Sequence, residues 1–179
     1  IEAGEVQDDP EAMAAAGAAM SATIEAALDA LKASRLAEGA ALAPVLDGLV
    51  DQIEAIVAAA EAESAGHPAM LKERFAKRMA ELLGEGVVSE DRIAAEAAVL
   101  ATRADVREEL DRLGAHVGAA RGLINGGGAA GRRLDFLMQE FMREANTLCS
   151  KSASPALTGC GLDLKALIEQ LREQVQNVE

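Results

Sequence analysis

Apolar residues recur at intervals of three and four along most of the chain, which is the spacing of one face of an α-helix. The pattern begins after Asp9 and Pro10, a capping residue and a proline suited to a first helical turn. Gly39 and Pro44 then interrupt the register, so the pattern predicts either two helices or one helix kinked there. The two apolar rows are Met13, Met20, Ile24, Ala27 and Leu31, then Leu42, Leu46, Leu49, Ile53 and Ile56.

Turn-forming residues divide the remaining sequence into four further predicted helices. Ser64–Pro68 is a break, and a short helix follows from Leu71 to Gly84. A long helix is predicted from Ser89 to about Ile124, and loops at 125–131 and 150–161 separate the last two helices. Their apolar rows are Val99, Val106, Leu110, Leu113 and Val117; Leu134, Met138, Phe141, Ala145 and Leu148; and Leu164, Ile168, Leu171, Val175 and Val178. Such heptad-like seams predict an all-α protein, an antiparallel bundle or hairpin array of long helices.

Composition supports helices and a cytoplasmic protein. Half of the residues are apolar, with no Trp or Tyr and three Phe, which favours helix over strand. No apolar run approaches the ~20 residues of a membrane span, so we expect no membrane association. Cys149 and Cys160 form no CxxC pair and are expected to be reduced thiols.

Charge restricts where an anion could bind. The formal net charge is −13, which repels nucleic acid at long range unless positive charge is gathered locally. Residues 1–34 hold seven carboxylates and one lysine, whereas residues 131–151 hold four basic and three acidic side chains. An anion-binding site is therefore expected in the second half of the chain.

Two polar rows could carry chemistry. Asp105, Glu109, Arg112 and His116 recur at spacings of four, three and four, next to the apolar seam of the predicted long helix. The following helix adds a mixed row, whose members of interest are Arg132, Arg133, Glu140, Arg143, Glu144, Asn146 and Lys151. The carboxylates could bind Mg²⁺ or Mn²⁺ while the basic side chains hold phosphate, but periodicity alone equally allows interhelical salt bridges. No zinc pattern, GxSxG motif or phosphate-binding glycine loop is present, and no organic cofactor is expected.

The second half of the chain resembles the YicC/YloC family of endoribonucleases. The resemblance covers residues 95–179 and rests on ordered segments, namely Asp105–Val117, Gly131–Glu140, Arg143–Leu148, Ser150–Ser152 and Leu164–Glu179. The sequence departs from the family pattern at Gly126–Gly128, where the family has a more polar stretch, and at Ser154–Gly161. We therefore predict a helical remainder of the family's N-terminal region at 1–94 and its C-terminal domain at 95–179.

The resemblance implies a bacterial, divalent-metal-dependent endoribonuclease that forms a homo-oligomer, a hexamer, and is linked to stress or stationary phase and RNA turnover. It also implies a substantial segment before Ile1, so this chain alone would cleave RNA weakly or not at all if the cleft needs that segment or another subunit. The family's motif residues fall here on Asp105, Glu108, Glu109, Asp111, Arg112, His116, Arg132, Arg133, Asp135, Gln139, Glu140, Arg143, Glu144, Asn146, Thr147 and Lys151.

Roles within this set are hypotheses. The predicted metal ligands are Asp105, Glu109, Glu140 and Glu144; the predicted catalytic residues are His116, for proton transfer, with Glu109, Glu140 and Glu144; the predicted RNA contacts are Arg112, Arg132, Arg133, Arg143, Asn146 and Lys151. One alternative is a non-catalytic oligomerisation module whose seams pair subunits, so that an acidic residue at Leu110 or Leu171 would abolish assembly. Another is a metal-free ribonuclease that uses His116 for acid–base chemistry.

Overall fold

The computed structural model describes residues 9–84 and 88–176, and these form six α-helices. The helices are α1 (Pro10–Ser64), α2 (His67–Leu83), α3 (Glu90–Arg103), α4 (Arg107–Asn125), α5 (Gly131–Lys151) and α6 (Pro155–Val175). The all-α prediction is confirmed. None of the described helices is long and apolar enough to cross a membrane.

The chain divides into two compact units, residues 1–42 and 43–179. The first unit consists, where described, of the N-terminal part of α1, and its large apolar side chains Met13, Met20, Ile24 and Leu31 are exposed. The second unit contains the rest of α1 and helices α2 to α6. The domain boundary expected near residue 94 stays a prediction.

Helix α1 continues through Pro44, which decides between the two alternatives that the sequence allowed. Its buried face in the second unit is Leu46, Val50, Ile53, Val57 and Ala60. Of the predicted row, Leu46 and Ile53 are buried, while Leu49 and Ile56 are only half-buried. The buried stripe therefore shares Leu46 and Ile53 with the predicted row, and its other positions fall one residue later, at Val50 and Val57.

Helices α4, α5 and α6 form the core of the second unit, with α5 packed against both others. Their buried residues match the predicted seams closely: Val106, Leu110, Leu113 and Val117; Leu134, Met138, Phe141, Ala145 and Leu148; and Leu164, Ile168, Leu171 and Val175. Val178 lies outside the described residues. Because Leu110 and Leu171 are 2% and 1% exposed within the chain, these seams serve folding, and their use as subunit seams is wrong.

The predicted long helix from Ser89 to Ile124 is wrong, because it is interrupted between Arg103 and Arg107. Asp105 stabilises the interruption: its Oδ1 accepts a hydrogen bond from the Arg107 backbone N–H at 3.0 Å, and its carboxylate contacts the Arg107 guanidinium at 3.1 Å. A side chain that satisfies a free N–H at the start of a helix favours a new helix start over continuation. Val99 accordingly lies in α3 and is exposed.

The predicted loop at 150–161 is also wrong, since α6 already begins at Pro155. Ser154 caps the helix, its Oγ accepting a hydrogen bond from the Leu157 N–H, and Pro155 occupies the first turn, where a proline costs no hydrogen bond. Gly161 lies inside α6 at a close approach, where a Cβ would come within 2.5 Å of Cys149 Sγ. The glycine loop before α5 is confirmed, with positive φ at Gly127 and Gly128.

Candidate active site

Helices α4 and α5 form an antiparallel pair that brings the two predicted polar rows together. Three contacts fix the register: Glu109 with Lys151, Arg112 with Glu144, and His116 with Phe141. Residue numbers rise along α4 as they fall along α5, as antiparallel neighbours require. Periodicity could not show whether the two rows meet. The packing of α4 against α5 brings them into contact.

One group of acidic and imidazole side chains is close enough to hold a metal ion among the described residues. It consists of His116, Glu140 and Glu144, each of which offers one ligand atom within 4.8 Å of the other two; we call it the His116 cluster. Glu144 is buried with 3% side-chain exposure, whereas Glu140 is 22% exposed. The cluster therefore has a buried base and a side that solvent or a substrate can reach.

His116 carries an unsatisfied atom at the cluster. Its Nε2 is buried and has no hydrogen-bond partner. The ring contacts Phe141 edge-on, with centroids 5.4 Å apart. Burial lowers the pKa of His116 below its ordinary 6.5, against the opposing effect of the Glu144 and Glu140 carboxylates. The imidazole is therefore neutral at pH 7, which is the form that binds metals.

Two arginines balance the charge of the cluster. Arg143 contacts Glu140 at 2.6 Å and Glu144 at 3.2 Å, and Arg112 contacts Glu144 at 3.3 Å from the facing helix. Both guanidinium groups are half-exposed, at 58% and 50%. Because Arg–carboxylate and Arg–phosphate bonds use the same donors, an incoming phosphate can compete with the carboxylates for them.

The remaining predicted ligands lie outside this cluster. Glu109 is buried beside Lys151, whose Nζ donates to Oε1 at 2.7 Å, and its other oxygen has no hydrogen-bond partner. Asp105 lies at the α3–α4 interruption. The backbone N–H and the side chain of Arg107 lower the pKa of Asp105, and Lys151 adds a smaller effect. The structure thus brings together Glu140 and Glu144 but not all four predicted carboxylates.

The predicted RNA-contacting residues divide by position. Arg112, Arg143 and Lys151 border the α4–α5 contacts described above. Arg132 and Arg133 are exposed in the first turn of α5 and form no ion pair with a described residue, and Asn146 is exposed further along α5. Helix α5 thus carries two arginines in its first turn without an ion pair to a described residue, and two basic residues nearer its end that pair with carboxylates.

Sequence reasoning treated His116 as a proton-transfer residue and did not propose it as a metal ligand. The signal was available: His116 lies one residue before the seam residue Val117, a position that faces the partner helix obliquely. What the sequence could not supply was the partner, because the register of α5 decides that Glu140 and Glu144 meet this ring.

The donor set fits a divalent cation. An unpartnered imidazole nitrogen and two carboxylates form a mixed nitrogen–oxygen set, which suits Mn²⁺ better than Mg²⁺, an ion that prefers oxygen ligands and retains water. The two arginines reduce the negative charge available to a cation.

The chain is similar to proteins of one family. The family model described as "Endoribonuclease YicC-like, C-terminal" matches residues 60–179. A protein of Haemophilus influenzae named "Probable endoribonuclease YicC" is 53% identical over 88 residues, which are 49% of this chain and 31% of that protein. A protein of the same name from Clostridioides difficile is 33% identical over 157 residues, 87% of this chain and 54% of that protein.

The chain therefore spans about half or less of the length of the curated relatives it matches. The family match includes every residue of the His116 cluster and both arginines that contact it. Because the matched region covers well over half of the sequence, this chain belongs to the YicC-like endoribonuclease family.

Proposed function

We propose that this chain carries the catalytic centre of a metal-assisted endoribonuclease, located at the His116 cluster between α4 and α5. Two observations carry the proposal: a ring nitrogen of His116 and carboxylate oxygens of Glu140 and Glu144 all lie within 4.8 Å of one another, and the Nε2 of the same ring is buried without a hydrogen-bond partner. A buried polar atom without a partner costs stability, so its presence beside two carboxylates is best explained by a ligand that it binds. The names of the relatives support RNA as the substrate.

In this proposal His116, Glu140 and Glu144 hold a divalent cation, Mn²⁺ in preference to Mg²⁺. The cation would supply Lewis-acid stabilisation of the charge that develops on the phosphate oxygens. The single lone pair of Nε2 can go to a cation or to a proton but not to both. Metal binding by His116 therefore transfers the proton-accepting role to a carboxylate, and Glu140 is the more exposed of the two.

The arginines have a defined part in this mechanism. Arg112 and Arg143 release the carboxylates and bind the non-bridging oxygens of the scissile phosphate, while Lys151 and the exposed Arg132 and Arg133 contact flanking phosphates. A water oxygen forms the new bond to phosphorus as its proton passes to Glu140. The bond to the leaving ribose oxygen breaks, and that oxygen takes a proton from solvent. The formal charge of −13 limits non-specific RNA binding, so these basic side chains have to provide the affinity.

The decisive experiment compares cleavage of a structured RNA before EDTA, after EDTA, and after addition of Mn²⁺ or Mg²⁺. We expect EDTA to abolish cleavage and Mn²⁺ to restore it more fully than Mg²⁺. Glu140→Gln and His116→Ala should each reduce kcat by at least about a hundredfold, as expected for loss of metal binding or proton transfer. Asp163→Asn, which removes an exposed carboxylate on α6, is the matched control and should retain the wild-type rate.

Cleavage that survives EDTA but requires His116 would favour a metal-free mechanism in which this ring performs acid–base chemistry. Cleavage at the wild-type rate in both cluster variants would show the location to be wrong. Since the chain covers only part of its relatives, the assay should include a full-length family member with the same substitutions. Activity confined to the longer protein would mean that segments outside these 179 residues complete the centre.

A second candidate function, assembly, is favoured by the first compact unit. The exposed fractions there are 60% for Met13, 65% for Met20, 56% for Ile24 and 54% for Leu31. These four residues follow a helical seam along α1, and an apolar row of this kind is typical of helices that pair with another subunit. We propose that this row, which we call the α1 stripe, mediates homo-oligomerisation; the resemblance implies a hexamer. Assembly can coexist with catalysis in the second unit.

The two unpaired cysteines support a cytoplasmic location for this activity, since Cys149 and Cys160 are both free thiols. A link to stress or stationary phase belongs to the same proposal. Measuring growth and RNA turnover in a strain carrying His116→Ala would test it, and an unchanged phenotype would contradict it.

A further inference from the structure

A cavity lies apart from the His116 cluster, where the α1–α2 turn faces the α3–α4 interruption. Its volume is about 420 Å³, within the ~300–1,000 Å³ range of small-molecule sites. The side chains that matter for recognition are His67, Leu71, Ala101, Asp105, Val106 and Arg107. All of them belong to the second compact unit.

His67 lines this cavity and carries a buried ring nitrogen without a hydrogen-bond partner. The residue is 5% exposed, and its Nδ1 is buried without a hydrogen-bond partner. On the other side of the ring, Nε2 lies 3.3 Å from Ser154 Oγ. The unpaired atom is thus on a side chain fixed by its neighbours, and that side chain lines the cavity.

The hydrogen bonds of Ser154 determine the tautomer of His67. A serine hydroxyl has one proton to donate and two lone pairs to accept. Ser154 donates to Glu63 Oε1 at 2.9 Å and accepts from the Leu157 N–H at 3.1 Å. The contact with His67 must therefore use the remaining lone pair, so Nε2 carries the proton. In the neutral ring this leaves Nδ1 as an acceptor without a donor, and the ring edge that lines the cavity carries no positive charge.

The other polar groups narrow the ligand further. The Asp105 carboxylate adds acceptor oxygens, and Arg107 contacts it with part of its guanidinium while its remaining N–H groups stay available. Leu71 and Val106 supply apolar surface. A planar ring with a projecting amino group beside a ring nitrogen or carbonyl matches this combination of acceptors, donors and apolar walls. Adenine, cytosine and guanine have such an edge.

Uracil matches less well. Its only ring donor available for pairing is flanked by two carbonyl oxygens, and these would face the carboxylate oxygens of Asp105. Placing acceptors against acceptors in a confined cavity costs affinity, because neither group then replaces its lost hydrogen bond to water.

The cavity lies in line with the proposed cleavage site. Arg107 and His116 are the two ends of a nine-residue step along α4, roughly 14 Å at 1.5 Å per residue. Glu109 and Arg112 lie in the intervening turns of α4, and Lys151 of α5 contacts Glu109, so two basic side chains lie between the two places. About four stacked nucleotides at ~3.4 Å each, or fewer in an extended strand, cover that distance.

We propose that this cavity binds an amino-bearing nucleobase of the RNA strand, within about four nucleotides of the cleaved phosphodiester, and so gives the enzyme a sequence preference. The RNA part of this inference rests on the proposed function, whereas binding of the base itself does not. Apolar side chains in place of aromatic ones can enclose an unstacked base.

The first test is nuclear magnetic resonance of the imidazole groups, without metal and in EDTA. The chain has two histidines, so His67 reports the cavity and His116 reports the cluster. AMP, CMP and GMP should shift the His67 ring nitrogens and leave His116 unmoved, and UMP at equal concentration should have at least about tenfold weaker effect. Absence of any His67 shift with all four nucleotides would overturn the proposal, whether or not the protein cleaves RNA.

Matched variants connect the shift to the cavity. Ala101→Phe fills the cavity from α3, whereas Ala98→Phe places the same ring on an exposed position about one turn earlier. The first should weaken nucleotide binding at least about tenfold and the second should not. Unchanged His116 resonances in both variants would show that the fold is intact. Equal loss in both variants, or in neither, would overturn the assignment of the cavity.

A cleavage assay separates an RNA base from a free nucleotide. The substrates are oligonucleotides that vary one position at a time. The wild type should cleave faster when A, C or G, rather than U, stands at one fixed distance from the cut. Ala101→Phe should remove that preference, and Ala98→Phe should retain it. Nucleotide binding with a cleavage preference that Ala101→Phe leaves unchanged would overturn the RNA-base assignment and indicate a free-nucleotide site. Nucleotide binding without any RNA cleavage would instead refute the proposed function alone.

Discussion

Replacing His116 with leucine should stabilise the metal-free protein while removing its metal site. In the wild type, Nε2 is buried without a hydrogen-bond partner, and a polar atom in that state costs about 1–3 kcal/mol. Leucine removes the polar atom and keeps an apolar contact with Phe141. The substitution loses the edge-on aromatic contact, worth about 0.5–1.5 kcal/mol. Taking the middle of each range, we expect the free energy of unfolding in EDTA at pH 7.5 to rise by about 1 kcal/mol.

The same substitution should change the dependence of stability on pH. Because burial holds the pKa of His116 below 6.5 in the folded protein, only the unfolded state gains this proton as the pH falls through 6.5. Wild-type stability therefore decreases below pH 6.5 until the pH reaches the lowered folded pKa, and His116→Leu lacks this decrease. The groups around the ring, Glu140, Glu144, Arg112 and Arg143, are present in both proteins. The stability advantage of the variant should thus be larger at pH 5.5 than at pH 7.5.

Urea unfolding followed by circular dichroism at the two pH values measures both effects, and calorimetric titration with Mn²⁺ measures the loss of metal binding. A variant that is less stable than the wild type by more than about 1 kcal/mol in EDTA would refute the reasoning. Such a result would mean that the imidazole makes a stabilising interaction within the chain, and the argument for a missing ligand would fail. Mn²⁺ binding of wild-type strength in the variant would exclude His116 as a ligand.

Three further predictions test the packing and assembly of the chain. Glu144→Gln should lower the free energy of unfolding by about 1–2 kcal/mol. This is less than for a fully buried ion pair because both arginine partners are half-exposed. Chemical denaturation measures the change, and an unchanged stability would contradict the interhelical role of Glu144. Gly161→Ala should lower the free energy of unfolding by about 1–3 kcal/mol because the new Cβ meets Cys149 Sγ at 2.5 Å. Gly159→Ala has open space around it and should raise the free energy of unfolding by about 0.5–1 kcal/mol. Thermal melting of the two variants checks the close approach at Gly161, and equal effects would refute it. The double variant Met20→Glu with Leu31→Glu should dissociate the proposed oligomer without lowering the thermal stability of the second unit. Light scattering measures the assembly and calorimetry measures the stability. Retained assembly would exclude the α1 stripe as the subunit contact.

The sequence by itself determined the helical class and most of the core. Rows such as Leu134, Met138 and Phe141 are buried as predicted, because a three-and-four apolar spacing has one physical solution, a helix with that face against a partner. It also placed the candidate chemistry on α4 and α5 and carried the family resemblance. Where local hydrogen bonds compete with periodicity, prediction failed: Asp105 starts a new helix, and Ser154 with Pro155 begins α6 ahead of two glycines.

Only the tertiary structure decided which polar side chains meet. Helical periodicity fixes the direction of a side chain on its own helix, but the axial register between α4 and α5 comes from the packing of residues such as Leu113 and Phe141. That register brings His116 to Glu140 and Glu144 and pairs Glu109 with Lys151, while Asp105 pairs with Arg107, so the four predicted carboxylates lie in three separate places. The burial that lowers the pKa of His116, and the cavity beside His67, likewise exist only once several helices have packed.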